Sequence, residues 1–226
     1  MTRDELNEQV CNQSVIIKNG FWELKIQNEN FAFIGQNQPA SDNQNFNQIL
    51  RIHDDSYWTS NIIVEKIDKI GLATKLAITG IYGGFYLYSQ SEDKDGQSIK
   101  LIDQDLIFSL GDTFLSLNLK SNQFNWLLQP DLTEVFEFYD LQDDFIVRGE
   151  TEVHRIDRNG NKLWSFGGQD IWVNLEGENE VIILEDKILL TDFNSSKYFI
   201  DFDGKQLEFI PYTKAQPEIK KRWWHL

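Results

Sequence analysis

A short turn motif recurs at near-constant spacing and limits what this chain can fold into. Ile156-Asp157 is followed by Gly160 and Leu163, and Ile200-Asp201 by Gly204 and Leu207, 44 residues later. A looser copy lies upstream, with Trp126 38 residues before Trp164 and Asn122 in the place of Gly160. Asn substitutes there because it tolerates left-handed backbone. Several short strands per period of about 40 residues is the pattern of a propeller blade, a sheet that buries its faces against stacked neighbours.

The stretch from Asp144 to Asp170 shows one such unit most clearly. Asp144 to Gly149, Glu152 to Asp157 and Lys162 to Phe166 alternate in the manner of strands, and Arg158-Asn159-Gly160-Asn161 closes the last pair as a tight hairpin. Gly160 supplies the positive φ that such a turn needs. The same reading predicts hairpins at Asn19-Gly20 and Gly111-Asp112, and a further strand at Phe31 to Ile34. Ile81 to Ser89 also reads as a strand, with Gly83 and Gly84 marking a bulge or close backbone approach. No long segment places apolar residues at i, i+3, i+4 and i+7. The expected fold is all-β: a propeller-like array of four-stranded antiparallel blades in a single domain over residues 1–226, with the clearest repeats at 98–211 and a tail at 212–226. At about 45 residues per blade, the length allows roughly five.

These repeats resemble the blades of quinoprotein-type (PQQ-like) β-propellers. In that family a strand ends in a small or apolar residue, Leu and Asp, turns through Gly, and four residues later a Trp docks between blades. Ile156-Asp157 through Gly160 to Trp164 fits with one residue fewer before the Gly. Ser116-Leu117-Asn118 through Asn122 to Trp126 fits at full length, with Asn for Asp and for Gly. In the third copy Glu208 stands where the Trp would be. The resemblance implies architecture, with Trp126 and Trp164 as wedges between sheets. Quinone-dependent dehydrogenases of this fold carry more blades, a calcium site and often a vicinal cysteine pair. This chain is shorter and has only Cys11, so no quinone and no other cofactor is expected.

Charge bounds the partners. Asp and Glu number 36 against 21 Lys and Arg, a net charge of −15. Such a field repels nucleic acid and anionic membranes and attracts a basic partner. The opening MTRDELNEQV lacks the apolar run of a signal peptide, and no stretch is long and apolar enough to span a bilayer, so a cytoplasmic address is expected. The tail residues Lys220-Lys221-Arg222-Trp223-Trp224 mix cations and aromatics. Against so acidic a body they read as a packed tail rather than a nucleic-acid contact.

Catalytic and metal motifs fail in turn. The acidic turns at Gly96, Gly160 and Gly204 lack the first or last ligand of a calcium loop. His53, His154 and His225 show no metal spacing, and His154 falls mid-strand, as a satisfied or surface histidine would. There is no GxSxG, Walker A or dinucleotide motif in a strand-turn-helix context. No catalytic, cofactor-binding or metal residue is assigned. The sequence favours a non-enzymatic protein–protein interaction protein, in its specific form an acidic immunity-type inhibitor of a basic partner. Asp143, Asp144, Glu150 and Glu152 are the candidate partner-binding residues. The alternative is a carbohydrate-active enzyme or lectin-like glycan binder with Trp22, Trp58 or Trp172 as a stacking platform.

Overall fold

The computed structural model describes residues 14–29, 46–53, 60–88 and 96–213, and among these there is no helix. Alternating apolar residues punctuated by Asp, Asn and Gly turns give four sheets. The first contains β1 (Ser14–Lys18), β2 (Trp22–Glu29), β3 (Gln48–Arg51), β4 (Ser60–Asp68) and β5 (Ala73–Ile81), in the order β1-β2-β4-β5-β3. The second is β6 (Ile99–Ile102), β7 (Asp105–Leu110), β8 (Thr113–Asn118) and β9 (Gln123–Leu128). The third is β10 (Val135–Leu141), β11 (Asp144–Gly149), β12 (Glu152–Ile156) and β13 (Lys162–Gly167). The fourth is β14 (Val181–Ile183), β15 (Ile188–Thr191), β16 (Lys197–Ile200) and β17 (Gln206–Ile210). The last three are four-stranded antiparallel meanders, so the architecture is a propeller-like array of blades. The described residues hold four sheets where the length allowed about five. The expected strand at Phe31 to Ile34 lies outside the described residues.

The sheets lean on one another in chain order, and each contact has its own apolar cluster. Leu24, Ile26, Val64, Leu76 and Ile78 of the first sheet meet Leu106, Phe108, Leu115 and Leu117 of the second. Ile107 and Phe114 of the second meet Phe138, Phe145, Val147 and Ile156 of the third. Tyr139, Ile146 and Val153 of the third meet Val181, Ile188, Leu190 and Tyr198 of the fourth, with Trp172 fully buried among them. The middle sheets are therefore apolar on both faces, as stacked sheets must be. A backbone bond recurs where each sheet's middle turn meets the linker before it: Asp112 N donates to Tyr82 O at 3.1 Å, Glu150 N to Glu134 O at 2.9 Å, and Phe193 N to Ile171 O at 2.9 Å.

The repeated turn has one design. Asp157 Oδ1 accepts from the backbone N–H of Asn159 and Asn161, each at 2.8 Å, while Gly160 takes φ +80°. Asp201 repeats this with Asp203 N at 3.0 Å, Lys205 N at 2.8 Å and Gly204 at φ +80°. Asn118 does the same for Lys120 and Ser121, and Asn122 adopts the left-handed φ of 56° expected of it. A fourth copy sits in the first sheet, where the sequence shows no clear repeat: Asp68 Oδ1 accepts from Ile70 N at 3.0 Å and Leu72 N at 2.9 Å, with Gly71 at φ +83°.

Both wedges expected from the resemblance dock. Trp126 packs on Gly160 and its Nε1 donates to Arg158 O at 3.0 Å; Trp164 packs on Gly204 and donates to Phe202 O at 2.8 Å. The first sheet lacks such a Trp. Lys66 takes its place, donating to Leu119 O and Asn122 Oδ1 of the second sheet, with its ammonium 4.9 Å from the Trp22 ring.

One predicted strand is corrected. After β5 ends at Ile81, residues 82–88 belong to no strand. Gly83, at φ +79°, faces Glu134, and a Cβ there would stand 2.8 Å from the Glu134 Oε1 atom. The glycines open a path for a linker between sheets rather than a bulge within one.

Candidate functional site

That linker lines a cavity with a volume of about 920 Å³. Its walls come from residues 84–88, the start of β10 with Glu134, Phe136, Glu137 and Tyr139, Arg148 of β11, and the segment 179–181 that opens β14. A register shift between Val135 and Glu137 makes Phe136 an extra residue in β10. The bulge displaces Val135, while the hairpin register, unbroken from Leu141 and Asp144, sets Glu137 opposite Arg148, whose Nε donates to Glu137 Oε1 at 2.9 Å.

The carboxylate of Glu137 is the hub of a buried network. Tyr139 donates its hydroxyl to Glu137 Oε1 at 2.6 Å, and Tyr88 donates to Oε2. Arg148 Nη1 donates to Trp172 O at 2.7 Å and stands 3.5 Å from Glu180 Oε1. Its guanidinium lies 4.7 Å from the Phe136 ring. Burial pushes the Glu137 carboxyl up, but the Arg148 charge and the three hydrogen bonds outweigh it and hold the group below the usual carboxylate range. Burial and then the Glu137 charge push both tyrosines up, so each hydroxyl keeps its proton and donates. Burial would lower Arg148, and Glu137 with Glu180 reverse that. Gly96 completes the fit, since a Cβ there would come within 2.5 Å of Glu137 Oε2.

The cavity is acidic and aromatic together. Its lining carries three carboxylates (Glu134, Glu137, Glu180) against one guanidinium, with Phe85, Tyr86, Tyr88, Phe136 and Tyr139 as aromatic wall. Glu134 accepts from Gly84 N at 2.8 Å, and Glu180 from Asn174 N at 3.0 Å. Sequence reasoning missed this site because its parts lie far apart in the chain. The signal available was the Gly83-Gly84 pair and the placing of Glu137 opposite Arg148 in the predicted β10–β11 hairpin.

The four partner-binding candidates are not brought together. Asp143 and Asp144 lie where β11 begins, and Glu150 and Glu152 beyond its other end, about 20 Å away by strand rise. Asp143 is exposed. Asp144 is tied to Arg155, 2.7 Å away. The backbone N–H groups of Thr151 and Glu152 are both held by Asp131 Oδ2 at 2.9 Å. The first-to-second-strand turn that carries Asp143 carries exposed acids in the flanking sheets too: Asp103 in the second, and Glu185 and Asp186 in the fourth.

The stacking platforms fare differently. Trp172 is fully buried and cannot be one. Trp22 packs over Lys66, and Trp58 lies outside the described residues. His154 is buried beside Ser165, with Nδ1 2.8 Å from Ser165 Oγ, and burial with the nearby Lys162 lowers its pKa to about 4. His53 Nε2 lies 3.1 Å from Asp112 Oδ1. No cluster of three or more His, Cys, Asp or Glu among the described residues could hold a metal ion.

No protein-family model matches the chain, and no curated protein matches its sequence. Solved structures similar to it include BamB from Moraxella catarrhalis, at 14% identity and a TM-score of 0.41 over 90% of this chain and 62% of that one. Apo AztD from Citrobacter koseri is 15% identical, with a TM-score of 0.45 over 91% of this chain and 61% of that one. The AfRom2 CNH domain is 11% identical, with a TM-score of 0.45 over 88% of this chain and 54% of that one. The chain thus spans less than two thirds of the length of these structures. None of the scores reaches 0.5, and the architecture rests on the chain's own four sheets.

Proposed function

We propose that this chain is a non-enzymatic binding scaffold for a basic protein partner, with the cavity beside β10 receiving a Lys or Arg side chain of that partner. The observation that carries this reading is the composition of the cavity wall: three carboxylates, one cation and five aromatic rings. A cation entering it gains contact with ring faces and charge-assisted hydrogen bonds to carboxylates. Glu137 is committed through both oxygens to Arg148 and two tyrosines, whereas Glu134 and Glu180 are engaged through Oε1, so their second oxygens are the ones to receive the incoming charge. The net charge of −15 draws a basic protein in from a distance. Exposed Asp103, Asp143, Glu185 and Asp186 lie at the far end of the strands from the cavity and add to the long-range field. Glu150 and Glu152 follow the end of β11 that carries Arg148, on the cavity's side. An immunity-type role, in which the acidic scaffold covers a basic toxin in the cytoplasm, is the specific form of this reading.

Capture from the native cell lysate at low and high salt tests it. A basic protein retained at low salt and released at high salt supports the proposal; recovery of only neutral or acidic proteins contradicts it. One observation favours a glycan-binding second reading: Tyr86, on the cavity wall, is 55% exposed and offers a ring for sugar stacking. A glycan array gives a clear hit if that reading holds, and no hit if the cavity serves a protein side chain.

A further inference from the structure

The tail that follows β17 is basic in an otherwise acidic chain. Residues 214–226 carry four cations and one acid, a net +3, against −15 for the whole. Lys220-Lys221-Arg222 is the one run of adjacent cations in the sequence, and Trp223-Trp224 follows it directly. This segment lies outside the described residues. The cavity beside β10 has the complementary wall, carboxylates set among aromatic rings. A cation next to an indole matches both parts of that wall.

The described chain leaves the fold at the cavity's end. Thr191 N donates to Glu180 O at 2.9 Å, Thr191 pairs with Lys197, and Lys197 pairs with Ile210. Glu180, on the cavity wall, and the end of β17 therefore stand in one row across the fourth sheet. Two residues on, Tyr212 N donates to Ser196 Oγ at 3.2 Å and holds the exit beside that row. Three strand spacings, about 14 Å, separate β17 from β14. Lys220 lies seven residues beyond Thr213, a reach of up to about 23 Å, so the tail is long enough to carry its cations to the cavity. The loop before β14 lies over the same row, because its Glu178 pairs with Lys197 at 2.6 Å. That loop also exposes Glu176 and Leu175, and Tyr86 is exposed on the cavity wall.

We infer that residues 220–224 of the chain's own tail are an intramolecular ligand of the cavity beside β10. A cation of the 220–222 run meets the second oxygens of Glu134 and Glu180, and the indoles of Trp223 and Trp224 cover Tyr86 and Leu175. The inference rests on the cation-accepting reading of that cavity and adds its regulation: a partner's cation enters by displacing the tail. A ligand tethered in this way acts at an effective concentration of roughly 1 mM. A tail that binds with a Kd of about 0.1 mM then weakens an incoming basic ligand roughly tenfold. The tail of a second copy has no such advantage at micromolar protein.

The test titrates a fluorescent peptide of Lys, Arg and Gly into four chains of residues 1–226. These are the parent, Lys220→Gln/Lys221→Gln/Arg222→Gln, Trp223→Ser/Trp224→Ser, and the first variant combined with Glu134→Gln/Glu180→Gln. Circular dichroism checks that each is folded at the temperature used. Both tail variants are expected to bind the peptide more tightly than the parent, the charge variant roughly tenfold, and the combined variant to lose that gain. The Trp variant keeps the net charge, so its gain separates an uncovered cavity from a more acidic chain. Equal affinity of the parent and both tail variants overturns the inference, while weaker binding by the combined variant would leave the cavity reading standing. A gain in the charge variant alone also overturns it, because net charge then accounts for the change. Binding by none of the four chains removes the cavity reading and the inference with it. A parent dimer that both tail variants dissolve, read by sedimentation, assigns the tail to a second copy and overturns the intramolecular contact.

Discussion

Trp164 rests on Gly204 so closely that a Cβ on that glycine would stand 2.7 Å from the indole ring. Trp126 stands in the same relation to Gly160, also at 2.7 Å. Each indole N–H donates to a carbonyl two residues before its glycine, so a wedge from one sheet locks the turn of the next. Glycine is needed twice over, for its positive φ and for the ring above it. Trp164→Ala should therefore destabilise the chain by about 3 kcal/mol, the lower end for a core aromatic because the ring is half-buried. Gly204→Ala should cost more than about 1 kcal/mol. Denaturant unfolding monitored by circular dichroism checks both, and in the double variant the losses should be less than additive because the two residues touch.

Acid should weaken the fold in two separate windows. His154 has a folded pKa of about 4 against an ordinary 6.5, so the unfolded state binds its proton first. Its contribution is fully present above pH 6.5 and falls away as pH drops from there toward 4, a loss of up to about 3 kcal/mol. Glu137 is depressed instead, and its contribution is lost at lower pH, as the carboxyl protonates below its ordinary 4.5. Unfolding midpoints measured across this range should show the first decline in the parent chain and not in His154→Gln.

Removing one member of the buried pair should cost more than removing the charge from both. Arg148→Met leaves the Glu137 carboxylate buried without its cation and should destabilise by about 3–5 kcal/mol. Arg148→Met combined with Glu137→Gln should recover part of that loss. Thermal unfolding of the parent and the two variants checks the order; equal losses for the single and double variants would show that the pair is not coupled.

Much of the fold is legible because its information is local. The bounds of β11 coincide with those read from alternation and turn residues, and those of β12 and β13 differ by one residue at one end. Trp126 and Trp164 could be placed because the turn before each carries a residue able to adopt left-handed backbone. What escaped is non-local or disguised. The parallel pairing of β3 with β5 has no signature in either strand alone. The turn at Asp68 escaped as a copy of the repeat because Ile70 and Leu72 stand where the other copies carry polar residues beside the glycine. The cavity escaped for a third reason: Tyr88 and Glu180 belong to segments far from the Glu137–Arg148 hairpin pair, and only the stacking of linker and sheets brings them to it. Acids read along the chain as one group, Asp143 to Glu152, are divided by the length of β11.

Titration of the purified chain with a short Arg- and Lys-rich peptide, beside a Glu134→Gln/Glu180→Gln variant, bears most directly on the proposed role. The parent should bind, more weakly as salt rises, and the variant should bind roughly tenfold more weakly at a temperature where circular dichroism shows it folded. Equal affinity of parent and variant, or no binding by either at low salt, would contradict a cation-accepting cavity beside β10.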